Sequence, residues 1–146
     1  MARLTDGDVA CWVLKTTRAP DQLAPGWVAH TPRLLRRCVR RSYRLDLMAA
    51  GQACLLWLSG RSRPGVHALG ELSGDVEDGP EGPVVPLRLA LLHEPVPRAD
   101  LLTDPRMREA EVLRMPAGSN PSWLSAGQFA AVLDRLGDEG LGRWWP

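Results

Sequence analysis

The feature that most limits how this chain can fold is an apolar run at residues 53–59, ACLLWLS. A strand formed by this run would be apolar on both faces, and such strands lie in the interior of a sheet. A turn-forming segment, GRSRPG, follows at residues 60–65, and a second strand-like stretch follows at residues 66–73. The pattern predicts a central hairpin, with Gly70 at a bulge or a close approach of two backbones.

Three further segments predict strands around this hairpin. Residues 9–16 are rich in β-branched and aromatic side chains, and residues 84–93 alternate between apolar and other positions. Pro86 cannot donate a backbone hydrogen bond, so it predicts an edge position for the second of these strands. Residues 111–115 predict a last short strand, and the acidic, Gly- and Pro-rich stretch at residues 74–83 predicts a loop.

Three helices are predicted between and after the strands. Thr31 is a typical N-cap before Pro32, and apolar side chains then follow at helical spacing as far as residue 39. Asp104 would cap a short helical piece at residues 105–110. The clearest helix covers residues 125–136, with Ser125 and Gln128 as a capping box and Gly137 as its stop. The combination predicts an α+β fold with a small barrel-like sheet of five to six strands.

Length and composition narrow the class of protein. A chain of 146 residues fits a single domain, with its core at residues 9–137 and a tail at residues 138–146. No apolar run approaches the roughly 20 residues that span a bilayer, and the first residues lack the blocks of a signal peptide. We therefore expect a cytoplasmic protein without a membrane partner. Three cysteines without CxxC spacing (Cys11, Cys38 and Cys54) predict reduced thiols, and three scattered histidines predict no metal site.

The distribution of charge is uneven, although the net charge is only +1. The first 65 residues hold eleven basic and four acidic side chains, and the remainder holds seven basic and thirteen acidic ones. Six arginines are concentrated in one stretch: Arg33, Arg36, Arg37, Arg40, Arg41 and Arg44. Such a cluster predicts phosphate binding, which Arg61 and Arg63 would extend. The alternative is a solvated face that pairs with Asp21 and Asp46.

Four segments, taken in order, resemble the EVE domain, a branch of the PUA-like superfamily. They are CWVLKT, SYRLDLMAAGQACLLWLSG, PGVHALGELSG and VLRMPAGSNPSWLSAGQF, which together span residues 9–137. EVE domains are related to the YTH readers of methylated adenine in RNA. Some bacterial relatives are implicated in recognising modified DNA, and others in RNA-linked processes. Many relatives carry a Trp before the Tyr-containing segment, where this chain has Arg36, Arg37 and Cys38.

The resemblance implies a non-catalytic module that binds DNA or RNA carrying a modified base, without a cofactor. A flipped base needs aromatic faces for stacking and polar groups for its hydrogen-bonding edge. Candidate base-binding residues are Lys15, Thr16, Trp27, Tyr43, Trp57, Ser59, Asn120 and Trp123, with Ser119 beside them. The alternative role of Trp57, and of Trp12, is core packing. Trp27 would otherwise be a lid over the core, and Trp123 a hydrophobic staple at the helix that Ser125 caps. Trp144 and Trp145 would dock on the sheet or contact another subunit.

Two other functions are compatible with the sequence. Relatives of the ASCH type hydrolyse acylated cytidine nucleosides, and Lys15, Thr16 or Thr17, and Glu71 would be the corresponding catalytic residues. This hypothesis assumes that Lys15 and Glu71 lie on adjacent strands. The third possibility is a protein-interaction domain that uses the tail at residues 142–146.

Overall fold

The computed structural model describes residues 3–136, which form seven strands and four short α-helices. The strands are β1 (Cys11–Thr16), β2 (Pro32–Cys38), β3 (Ala53–Leu58), β4 (Gly65–Leu72), β5 (Glu77–Gly79), β6 (Gly82–Pro97) and β7 (Ser122–Leu124). The helices are α1 (Pro20–Leu23), α2 (Arg98–Leu102), α3 (Glu111–Arg114) and α4 (Ala126–Leu133). Three 3-10 turns lie at Asp6–Asp8, Tyr43–Leu47 and Pro105–Met107. The predicted α+β class is confirmed.

The strands form one sheet in the order β2-β6-β4-β3-β1-β7, and β5 pairs with β6. Strands β1 and β3 are parallel, and the other neighbours are antiparallel. The apolar strand β3 is therefore interior, and it forms the predicted hairpin with β4. Among the described residues the sheet is open rather than a closed barrel, and it has seven strands where five to six were predicted. One backbone hydrogen bond, from Arg40 N to Asn120 O at 2.8 Å, links the segments beside its two end strands.

Strand β2 lies where a helix was predicted, and that prediction is wrong. Its burial alternates along the strand, with Arg33, Leu35 and Arg37 half-buried and their neighbours exposed. A helix would have buried Leu34 beside Leu35, but the Leu34 side chain is 73% exposed. The spacing of the apolar residues fits a helix as well as a strand. Seven consecutive residues pair with β6, and these tertiary hydrogen bonds select the strand.

Strand β6 is longer and more central than predicted. It covers sixteen residues and runs between β2 and β4, so the edge position inferred from Pro86 is wrong. Pro86 lies one residue beyond the last pair between β4 and β6, Leu72 with Leu87, where β4 is ending. The middle of the predicted acidic loop forms β5, which makes a hairpin with the start of β6.

The close approach predicted at Gly70 is confirmed. A Cβ atom at this position would collide with the backbone carbonyl oxygen of Arg88 on β6. Glycine therefore allows β4 and β6 to pair tightly at the centre of the sheet.

The helix predictions have a mixed outcome. Helix α4 begins after Ser125, whose side chain accepts from Gln128 N, so the predicted capping box is confirmed. Asp104 caps the turn Pro105–Met107, as predicted. The strand predicted at residues 111–115 is wrong, because Glu111–Arg114 forms helix α3 and buries only Val112. The proposed stop at Gly137 and the tail at residues 142–146 lie outside the described residues.

Two apolar clusters cover the two faces of the sheet. One packs strand residues such as Val13 and Leu55 against the helical segments, including Met107 and Val132. The other packs further strand residues, such as Leu56 and Leu87, beneath the long connections. Cys11, Cys38 and Cys54 are free thiols, as predicted, and burial raises the pKa of Cys11 and Cys54. Among the described residues, no helix has the length and apolar character needed to cross a membrane.

Candidate nucleic-acid interface

Two clefts adjoin at the end of β1. The arginine cleft, about 520 Å³, is lined by Arg40, Arg41, Ser42, Arg44, Glu111, Met115, Ala117, Gly118, Ser119, Asn120 and Pro121. The aromatic cleft, about 480 Å³, is lined by Arg3, Leu4, Asp8, Tyr43, Arg44, Glu109, Glu111, Arg114, Met115 and Trp123. Arg44, Glu111 and Met115 form the wall that the two clefts share. Both volumes fall in the range of about 300–1,000 Å³ that small-molecule sites occupy.

The shared wall is held by a bidentate ion pair. Arg44 donates to both carboxylate oxygens of Glu111, at 2.8 and 2.7 Å, and also to Pro121 O at 3.0 Å. Ser122, which is fully buried on β7, donates to the same carboxylate at 2.9 Å. The hydrogen bonds from Arg44 keep the pKa of Glu111 below its ordinary value, so Glu111 stays ionised. This geometry fixes one cationic group between the clefts.

Lys15 lies behind the wall of the arginine cleft, at the end of β1. Its side chain is only 8% exposed, and its amine donates one long hydrogen bond to Met115 O at 3.4 Å. Burial lowers the pKa of this amine, Glu111 opposes that effect, and Arg44 adds to it. Within residues 3–136, no carboxylate comes within ion-pair distance of Lys15.

Asn120 joins β1 to the segment before β7. Its side chain accepts from Lys15 N at 2.6 Å and donates to Lys15 O at 3.0 Å. The amide thus replaces a strand partner at the point where pairing between β1 and β7 has stopped at Val13 and Ser122. Asn120, a predicted site residue, lines the arginine cleft, and its side-chain amide is bonded to the Lys15 backbone.

Two of the four candidate aromatic residues reach the aromatic cleft. The Tyr43 hydroxyl accepts from Leu4 N at 2.9 Å, and the Arg3 guanidinium lies 4.1 Å from the centre of the Tyr43 ring. Trp123 is half-buried and lines the same cleft. Trp27 and Trp57 are 7% and 2% exposed, pack in the apolar clusters, and line neither cleft.

Thr16 and Ser59, the small polar candidates at the strand ends, make local hydrogen bonds. Ser59 N donates to Thr16 O at 2.8 Å, which joins the ends of β3 and β1. The Thr16 hydroxyl accepts from Arg18 N at 3.0 Å. Neither Thr16 nor Ser59 lines the two clefts, whereas Ser119 lies on the rim of the arginine cleft.

The arginine-rich stretch is divided by strand β2. Arg40, Arg41 and Arg44 follow the strand and line the arginine cleft. Arg36 and Arg41 pair with two acidic residues of β5, Glu77 at 2.6 Å and Asp78 at 3.2 Å, instead of with Asp21 and Asp46. All four of these side chains are at least half exposed, so the two pairs contribute little to stability.

Four predicted phosphate-binding residues line neither cleft, and one of them, Arg36, lies on the exposed face of β2. Arg33 and Arg37 occupy the half-buried face of β2. Arg61 lies on the turn before β4, and β4 begins opposite Pro97, at the far end of β6 from the residues that pair with Arg37. The turn therefore does not continue the group formed by Arg40, Arg41 and Arg44.

The register separates Glu71 from Lys15. Strand β3 lies between β1 and β4, with Glu71 opposite Ala53 at its start and Lys15 opposite Trp57 near its end. The assumption that these residues lie on adjacent strands is wrong. The carboxylate whose charge acts on Lys15 is instead Glu111, a residue that the sequence analysis missed because it assigned residues 111–115 to a strand.

The histidines do not form a metal site. The rings of His30 and His93 are stacked with centroids 6.2 Å apart, and His67 hydrogen bonds with Arg63 O at 2.7 Å. Across the described part of the chain, no group of three or more His, Cys, Asp or Glu side chains is arranged to hold a metal ion.

Solved structures share this architecture at low sequence identity. A hypothetical protein from Leishmania major aligns with a TM-score of 0.71 and 17% identity, over 92% of this chain and 99% of that one. Rpa0253 from Rhodopseudomonas palustris aligns with a TM-score of 0.65 and 18% identity, over 88% and 93%. Human THYN1, in complex with DNA containing 5-methylcytosine, aligns with a TM-score of 0.60 and 15% identity, over 88% and 98%. The chain has a PUA-like fold.

These likenesses extend over almost the whole of each relative. At 15–18% identity they establish the fold alone. No family model and no curated protein matches this chain.

Proposed function

We propose that this protein binds nucleic acid carrying a modified base, and that it belongs to the EVE branch of the PUA-like fold. The observation that carries the proposal is the position of Arg44, which stands between a cleft lined by arginines and a cleft lined by aromatic rings. A nucleotide has the same two parts, a phosphate and a flat base. The arginine cleft would take the phosphate, and the aromatic cleft would take the base.

The arginine cleft suits a phosphodiester backbone. Arg40 has no ion-pair partner among the described residues, and the pair that Arg41 makes with Asp78 is largely exposed to solvent. A phosphate could therefore engage both guanidinium groups without breaking a buried interaction. Binding through two or three phosphates would release counterions and make the affinity depend on salt, with a slope of about −0.7 to −0.9 for each contact.

The aromatic cleft suits a planar group. The guanidinium of Arg3 already lies against the Tyr43 ring, so this face of the ring accepts a flat, polar partner. A base that displaced or covered Arg3 could stack on Tyr43 and contact Trp123. Stacking on an aromatic side chain contributes about 1–3 kcal/mol per base, which is about 5- to 150-fold in affinity. Trp27, Trp57, Thr16 and Ser59 would support the site without contacting the base.

The THYN1 complex favours DNA as the first ligand to test. Its structure contains 5-methylcytosine DNA, and it shares the fold of this chain. Glu71 lies too far along the sheet to act with Lys15 in the hydrolysis of acylated cytidine.

Fluorescence anisotropy with labelled 5-methylcytosine DNA tests both parts of the site. Arg40→Ala should weaken binding and reduce the salt slope by about one contact. Arg108→Ala removes an exposed arginine outside both clefts and should leave the affinity unchanged. Equal losses in these two variants would show that binding does not depend on the arginine cleft.

The base subsite needs a separate pair of variants. Tyr43→Ala removes the ring and should weaken binding about 5- to 150-fold, the full range for one stacked base. Tyr43→Phe keeps the ring and loses only the hydroxyl that accepts from Leu4 N, so its affinity should stay near that of the wild type. Equal affinities for Tyr43→Ala and the wild type would rule out stacking at this position.

A further inference from the structure

The chain contains a single lysine among seventeen arginines, and that lysine is buried at the candidate site. Buried lysines usually have a carboxylate partner, because an isolated buried ammonium is costly. Lys15 has none within ion-pair distance among the described residues, and its one hydrogen bond, to Met115 O, is long at 3.4 Å. Packing alone does not account for an amine at this position.

The amine is separated from the arginine cleft by very little structure. A Cβ atom added at Gly118 would lie 3.3 Å from Lys15 Nζ and 3.1 Å from Met115 O, so the amine packs directly against the Gly118 backbone. Gly118 and Met115 both line the cleft. A ligand group that entered next to Gly118 would meet the amine within a short distance.

The burial of Lys15 favours the neutral, nucleophilic amine. Burial is the largest effect on this amine, and it lowers the pKa of Lys15. Glu111 raises this pKa more than Arg44 lowers it, and the two charges are joined to each other by two hydrogen bonds. Desolvation is one of the conditions that make a lysine reactive toward carbonyl groups.

We propose that Lys15 condenses with an aldehyde carried by nucleic acid bound in the arginine cleft. This inference rests on the proposed function, because it uses the same cleft. The amine nitrogen forms a bond to the aldehyde carbon, the carbon–oxygen double bond breaks, and the oxygen leaves as water with the two amine protons. The step needs no oxidant or reductant. The aldehyde could be a formyl group on a pyrimidine or the opened sugar of an abasic site.

Reductive trapping tests the proposal on the full chain. The protein is incubated at neutral pH with four DNA duplexes that differ at one nucleotide: 5-formylcytosine, an abasic site, 5-methylcytosine and cytosine. Cyanoborohydride converts any imine into a stable adduct, and mass spectrometry of tryptic peptides locates it. We expect an adduct at Lys15 with one or both aldehyde duplexes and none with the other two. The duplex that reacts identifies the source of the aldehyde.

Lys15→Arg keeps a long basic side chain and removes the only lysine, so any adduct left in this variant must form at the N-terminal amine. We expect at least about a tenfold loss of adduct. If Lys15→Arg misfolds, the peptide map of the wild-type protein alone decides. Adducts found only at the N-terminus would overturn the inference, and unchanged binding of the 5-methylcytosine duplex would then leave the proposed function standing.

Discussion

Asn120→Ala should destabilise the fold by removing the side chain that joins β1 to the segment before β7. The variant loses two hydrogen bonds, of 2.6 and 3.0 Å, to the backbone N–H and C=O of Lys15. Lys15 is buried, so water would not fully replace them. An unsatisfied buried polar group costs about 1–3 kcal/mol, and we expect a total loss of about 2–3 kcal/mol. A loss of this size lowers the melting temperature of a domain this long by about 4–12 °C.

Urea denaturation followed by circular dichroism measures this change. Ser119→Ala is the matched control, because Ser119 is the exposed preceding residue, and its free energy of unfolding should stay within about 0.5 kcal/mol of the wild type. A free energy of unfolding for Asn120→Ala that matches the Ser119→Ala value would refute the reasoning. The amide would then form its two bonds without stabilising the connection between the strands.

Three other variants test the fold. Gly70→Ala should cost more than about 3 kcal/mol or prevent folding, because its Cβ would meet the Arg88 carbonyl, whereas Gly127→Ala on helix α4 has open space and should stabilise by about 0.5–1 kcal/mol. Equal melting temperatures for Gly70→Ala and Gly127→Ala would contradict the tight pairing of β4 and β6. Asp104→Asn should be less stable than the wild type at pH 7, because hydrogen bonds from Arg106 hold the pKa of Asp104 below its ordinary value. The stabilisation by ionised Asp104 is present above its unfolded pKa of about 3.9 and is lost as the pH falls further. A difference in stability between Asp104→Asn and the wild type that does not change with pH would argue against this stabilisation.

The segments that were predicted correctly have a local sequence pattern that fits one type of secondary structure. Strand β3 is apolar on both faces, and helix α4 has a capping box directly before its apolar positions. Strand β2 has no such unique pattern, because Leu34 and Leu35 fit a helical face as well as a strand. Its pairing with β6 joins residues about fifty positions apart, and this pairing decides its structure. Local spacing does not contain that information.

Some residues of the candidate site can likewise be identified from a local sequence pattern, whereas others are identified only by their tertiary contacts. Arg40, Arg41 and Arg44 could be identified from sequence, because their clustering is a local property. Glu111 could not, because its ion pair with Arg44 joins residues 67 positions apart. The burial of Trp57 was also hidden, since an indole on an apolar strand can face either a core or a pocket, and only the packed sheet distinguishes them.

The most direct test of the central claim compares one DNA duplex with and without a single 5-methylcytosine. Dissociation constants are measured by anisotropy at salt concentrations from about 50 to 200 mM. Burial of one methyl group contributes about 0.8 kcal/mol, so we predict about a fourfold or greater preference for the methylated duplex, together with an affinity for both duplexes that falls as salt increases. Equal affinities for the two duplexes, unaffected by salt, would contradict the account.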